Sequence, residues 1–364
     1  MNDTVTKSNL RQCCIDAGEA YFLKRFPMEL GTEDFLRDHL LQIGRRWGPI
    51  TQAATQGIFL RTVSREDTLP YFNAEMRYLR CPQGHVFPFA LLGRRIYYLV
   101  WRIHMICLSF FQESSRRSEA GTNASFSGPA DWPGPEQVEQ LKLALRMYRY
   151  DPFLSNEDFE DLYRWSLKAP SDLALQHMSV SELALLFILL HEVQHAMEPF
   201  HELNPDAPPM VRIELESEEL GKKQQKNWLS EMQADCNAWF MLLISVTSAM
   251  QEKTSMPEES RIAALSMSAQ AADVVLHSLE FVERQDYGRI DKETARSIPA
   301  FLTHPPCDLR RKALSYTSYQ QVTGLPYTKL FEGHSTKQWQ QIAQDCGSQI
   351  TIRERLYSAA EASR

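Results

Sequence analysis

The sequence predicts a mainly α-helical protein with a small β-sheet, an α+β fold in which an N-terminal helical region precedes a larger helical part. Three observations predict it. Apolar residues recur at helical spacing through most of the 364 residues. Only two short runs are compact and apolar enough for strands. The eight consecutive apolar residues Leu183 to Leu190 call for full burial inside helical packing.

Taken in order, Asn9 to Phe26 and Glu33 to Trp47 read as helices separated by Pro27 and a turn at Gly31. Gly57 to Val63 and Met76 to Leu79 read as strands. Val86 to Phe111 is the stretch most like a membrane span, but Arg94, Arg95, Arg102 and His104 interrupt it. Each arginine would cost about 2.5–3.5 kcal/mol in a bilayer. A core helix is expected instead, with Ile96, Leu99, Val100, Ile103, Cys107 and Phe110 along one stripe. Residues 114–135, rich in Ser, Gly, Pro and Ala, read as a flexible linker or loop between an accessory region at 1–113 and a main domain at 136–364. Helices are expected beyond it over Glu136 to Tyr150, Asn156 to Lys168, Val180 to Glu198, Asn227 to Lys253, Glu258 to Glu283, Asp308 to Tyr316 and Ser335 to Asp345.

Composition narrows the function. With 39 Lys plus Arg against 46 Asp plus Glu, the net charge is −7 and basic runs are short, which disfavours nucleic acid and anionic membranes as partners. The polar start MNDTVTKSNLRQ lacks the layout of an export signal. Seven cysteines without a repeated spacing read as reduced thiols, and a cytoplasmic location is expected. Cys81-Pro-Gln-Gly-His85 resembles half a zinc knuckle, but no second pair follows, so it reads as a turn.

Residues 191–195 read HEVQH. On a helix, His191 and His195 share a face and can hold one zinc ion, with Glu192 set to take a proton from water. Ser179-Val-Ser-Glu182 looks like a capping box that starts this helix. Burying two histidines and a glutamate at the end of so apolar a helix is costly unless they are paired or bind metal.

Two residues compete to be the third ligand. Glu231 opens Glu231-Met-Gln-Ala-Asp235, where Ala234, Asp235 and Ala238 fall on the same helical face. Small alanines let such a helix approach closely, and Asp235 could orient His191 or His195. His201 stands six residues after His195, but Glu198-Pro199 occupies the place where a sharp turn needs glycine. Glu198, lying before proline, is expected to end the helix.

A third segment, Thr303-His304-Pro305-Pro306, is followed by Arg310. The set, in this order, resembles the gluzincin metallopeptidases, especially the CAAX-prenyl endopeptidases and heat-shock proteases, over about residues 180 to 315. The resemblance implies a zincin-like core built on the active-site helix, zinc on His191, His195 and Glu231, and Glu192 as general base and acid. It implies Asp235 as a residue orienting a ligand and Arg310 as its carboxylate-pairing support, with Arg311 adjacent. His304 would either act in catalysis, first as donor to the developing oxyanion with Tyr287 the weaker alternative, or shape the cleft.

The chain departs from those relatives, which usually carry membrane helices or export signals. It reads as a separate soluble branch: an intracellular metalloendopeptidase acting on a protein or peptide substrate, by analogy a dedicated effector or phage-defence protease. The alternative is a non-catalytic regulatory or binding protein that keeps zinc in the same kind of domain. The N-terminal region is the expected place for an activating partner. The charged run Arg212 to Glu219 reads as a solvated surface or a lid over the cleft.

Overall fold

The computed structural model describes residues 2–26, 35–48, 51–53, 58–63, 74–119, 131–150, 171–203, 222–251, 258–288, 298, 301, 304–314 and 336–363. Its elements are α1 (Asn2–Arg25), α2 (Phe35–Arg46), β1 (Phe59–Val63), β2 (Ala74–Arg80), β3 (Val86–Gly93), α3 (Arg94–Glu119), α4 (Pro135–Tyr150), α5 (Ser171–Leu203), α6 (Lys222–Gln251) and α7 (Glu258–Tyr287). A short helix, α8, covers residues 307–314, and α9 (Thr336–Ala362) follows. Among the described residues, the protein is mainly α with one small sheet.

That sheet has the order β1-β3-β2, with β1 parallel and β2 antiparallel to β3. Leu60, Ala90 and Leu92 face the main helical core, whereas Val63, Phe89 and Leu91 face α1 through Phe22 and Phe26. The central strand is therefore covered on both sides. This corrects the reading of Val86 to Phe111 as one helix: its first eight residues are β3, and the helix starts at Arg94. A strand buried on both faces is an unbroken apolar run, and its period of two does not show.

α5 is the middle of the helical layer, with α3, α6, α7 and β2 packed around it. Leu183, Leu186, Leu189 and Leu190 are completely buried, and each contributes roughly 1.5–3 kcal/mol by leaving water. The helix begins at Ser171, so Ser179 to Glu182 is not its cap. Glu182 is instead held by tertiary contacts: Arg46 Nη1 donates to its Oε1, and Trp47 Nε1 donates to its Oε2 at 3.0 Å. Nor does the helix end before Pro199; it runs on to Leu203.

Two other boundaries move. The segment expected as a linker from residue 114 begins inside α3, which reaches Glu119. The last helix extends to Ala362, well beyond Asp345. One core contains residues from both expected parts, among them Leu40, Tyr97, Leu186 and Tyr357. The expected helix Asn156 to Lys168 and the run Arg212 to Glu219 lie outside the described residues. No described helix is long and apolar enough to cross a membrane.

Candidate metal centre

α5 carries His191 and His195 one turn apart, and α6 packs against it, with Ala234 and Ala238 buried. This crossing brings Glu231 against both imidazoles. His191 Nε2 and His195 Nε2 are 3.1 Å apart, His195 Nε2 is 3.2 Å from Glu231 Oε1, and His191 Nε2 is 3.4 Å from Glu231 Oε2. A tetrahedral zinc with bonds of about 2.05 Å separates its ligand atoms by roughly 3.3 Å, close to each of these contacts, although the two histidines meet different oxygens of Glu231. Among the described residues, these three form the one group of ligating atoms close enough for a shared ion. Glu231 Oε2 is buried with no donor in hydrogen-bonding geometry, as expected of an oxygen whose partner is a cation.

Behind this triangle stands a chain of charges. Asp235 Oδ1 is 2.9 Å from His191 Nδ1, a contact bent away from a straight hydrogen bond. A proton on Nδ1 leaves Nε2 as the lone-pair donor. Asp235 is fully buried and receives two hydrogen bonds of 2.7 Å from Arg310 Nε and Nη2. Burial opposes its charge, but Arg310 and His191 hold the carboxyl below its ordinary range. Arg311 turns away to Glu280 at 2.9 Å, so Arg310 is the member of the pair that reaches the centre.

Glu192 is buried beside the triangle and lines the same cavity. Desolvation raises its pKa, partly opposed by the two imidazoles. Burial acts on Glu231 in the same direction, yet the two imidazoles and Arg310 outweigh it and keep that carboxylate ionised. Two neighbouring glutamates thus differ in proton affinity, which suits one to exchange protons and the other to hold a cation.

His304 is 59% exposed at the cavity rim, with Nε2 3.5 Å from Glu231 Oε1. Partial desolvation and the nearby Arg310 lower its pKa, against the pull of Glu231. Its loop is anchored at two main-chain atoms. Trp228 Nε1 donates to the Phe301 carbonyl at 2.7 Å, and the Cys307 amide, in the first turn of α8, donates to Glu283 Oε2 at 2.8 Å. That amide has no partner within its own helix, so Glu283 supplies the missing cap from α7. Burial pushes the Glu283 carboxyl up to about 7. Sequence reasoning missed Trp228 and Glu283. Trp228 lies one turn before Glu231, the only local signal it offered, and Glu283 gave none because its partner is 24 residues away.

The centre opens into a cavity of about 620 Å3 whose walls include Met76, Phe187, Ile188, Val275 and Leu279, with Tyr287 on its edge. That volume is in the range of small-ligand and side-chain pockets. His201 lies on the last turn of α5, and its side chain is outside the described residues.

Comparison with protein-family models, with curated proteins and with solved structures returned no match to this chain.

Proposed function

We propose that the protein is a cytoplasmic, zinc-dependent metalloendopeptidase with a gluzincin-like centre, acting on a protein or peptide substrate. The observation that carries the reading is the meeting of His191 Nε2, His195 Nε2 and the Glu231 carboxylate, the two nitrogens 3.1 Å apart and each 3.2–3.4 Å from its own Glu231 oxygen. Its adjacent buried carboxylate, Glu192, and its position at the end of an apolar cavity favour catalysis over a purely structural ion.

When bound, zinc supplies a Lewis acid for the peptide carbonyl and lowers the pKa of water toward about 7. Glu192 takes the proton of the attacking water and passes it to the leaving amine. Its raised proton affinity suits both halves of that task. His304, kept neutral, donates an N–H to the carbonyl oxygen as charge develops there. Asp235 fixes the His191 ring, and Arg310 keeps Asp235 charged. The walls formed by Met76, Phe187 and Leu279 favour an apolar side chain next to the scissile bond.

The test pairs metal analysis with proteome-wide identification of released peptides. Wild type is expected to bind one zinc per chain and to cleave. Glu192→Gln should keep its zinc and lose activity by roughly 10²–10⁴-fold, the usual scale of general acid–base catalysis. Undiminished cleavage by Glu192→Gln would refute the mechanism. Zinc binding without any cleavage would leave a regulatory or binding protein.

A further inference from the structure

Away from this centre, the fold joins three thiols that are far apart in sequence. Cys13 and Cys14, half-buried on α1, meet Cys81, buried at the end of β2. The thiols of Cys13 and Cys14 both hydrogen-bond to the Cys81 sulfur.

The turn at 81–85 shapes this sulfur's surroundings. Cys81 N–H donates to the His85 carbonyl at 2.9 Å, and Gly84 N–H donates to the Cys81 carbonyl at 2.8 Å. Gly84 has φ +87°, a left-handed conformation that a side chain would resist. The loop so formed directs the Gln83 and His85 amides at the sulfur. Burial disfavours a Cys81 thiolate, but hydrogen bonds from Cys13, these two amides and Cys14 outweigh it and bring the thiol below its ordinary range. Burial and the neighbouring sulfur push Cys13 and Cys14 up. Cys81 is itself buried, but the turn beside it, Pro82 to His85, is exposed, and its partner Cys14 lines a cavity of about 470 Å3 between α1, α2 and β1.

We propose that Cys81, Cys13 and Cys14 form a redox site in which hydrogen peroxide converts Cys81 and one of the two helix thiols into a disulfide tying α1 to the β2–β3 hairpin. The Cys81 thiolate attacks one peroxide oxygen, the O–O bond breaks, and the released hydroxide takes a proton and leaves as water. Cys81 is then a sulfenic acid. The sulfur of Cys13 or Cys14 attacks it, forming the S–S bond, and its proton leaves with the hydroxyl as a second water. Two thiols lose two electrons and two protons in total, and the peroxide becomes two waters. The remaining thiol sits beside the new bond and can exchange into it by attack on sulfur. β2 also carries Ala74 and Met76 on the wall of the cavity beside His191, so the tether fixes the strand that borders the metal centre.

The experiment treats the full chain with equimolar hydrogen peroxide, blocks remaining thiols with iodoacetamide and maps the unreduced digest by mass spectrometry. The expected product links Cys81 to Cys13 or Cys14 within one chain. Cys81 should react at least about tenfold faster than Cys107, which is buried on α3 with its thiol pushed up to about 12. Cys13→Ser and Cys14→Ser should each still form a disulfide to the other helix thiol, and only the double variant should form none. Equal reaction rates for Cys81 and Cys107, or a disulfide found only between two chains, would overturn the proposal. The wild-type map is decisive by itself, so a variant that fails to fold leaves the test intact.

Discussion

Two buried clusters in this protein use the same residue types to opposite ends. In the first, His191, His195, Glu231, Asp235 and Arg310 gather between α5, α6 and α8. In the second, Asp273 and His277 on α7 meet Arg353 and Glu354 on α9. In the second cluster His277 Nδ1, both Glu354 oxygens and Asp273 Oδ2 each face a donor. Arg353 Nε donates to His277 Nδ1 at 3.0 Å, His277 Nε2 donates to Glu354 at 2.6 Å, and Arg353 also pairs with Asp273. Arg284 completes it by donating to Glu354. In the first cluster two imidazole nitrogens face each other, and Glu231 Oε2 has no donor in hydrogen-bonding geometry. Composition does not separate a structural network from a candidate site; the donor–acceptor balance does.

Substitution offers the strongest way to sharpen this contrast. Arg353 is 1% exposed, and Arg353→Met leaves Asp273 and His277 without their partner. Breaking a buried pair in this way should destabilise the fold by about 3–5 kcal/mol, read from urea denaturation, while zinc content stays at wild-type level. A stable variant would show that the second cluster is not the lock described.

Acid should expose the same cluster next. Burial, with help from Arg353 and against Glu354, holds His277 down to about 4 from its ordinary 6.5. Between these values the unfolded chain binds a proton that the folded chain refuses. Stability from this residue is therefore complete above about pH 6.5 and declines as pH falls toward 4, by of the order of 3 kcal/mol. Glu354, kept down to about 2 mainly by the His277 hydrogen bond, extends the decline to lower pH. Denaturation midpoints of His277→Gln should depend less on pH within that window, and an unchanged slope would assign it to other groups.

Metal should act on the first cluster alone. Zinc at about one hundred times its dissociation constant should stabilise the wild type by about 2.7 kcal/mol, and Glu231→Ala should abolish the effect. Asp235→Asn should produce the smallest change, weakening zinc by roughly 10–100-fold because the His191 ring loses its support. Isothermal titration distinguishes these outcomes. Equal zinc binding by Glu231→Ala and the wild type would remove that carboxylate from the centre.

Much of the helical architecture was legible, and so was the grouping of His191, His195 and Glu231, because both rest on helical spacing and on small residues at a helix crossing. β3 was not, since burial on both faces removes the alternation that marks a strand. Glu182 imitated a capping residue because a local pattern does not record Arg46 and Trp47, more than 130 residues earlier. Asp235, one turn beyond Glu231, was readable as support for a ligand, although which histidine it would meet was not. Cys13, Cys14 and Cys81 gave no common signal, since only the packing of α1 on the hairpin joins them.

Both anchors of the His304 loop grip backbone, one at the Phe301 carbonyl and the other at the Cys307 amide. Nothing in that fastening depends on which side chains sit between them. The span works as a socket: the place of residue 304 beside Glu231 is kept by a tryptophan and a glutamate on two other helices, so a substitution at 304 removes the side chain without releasing the segment that carries it.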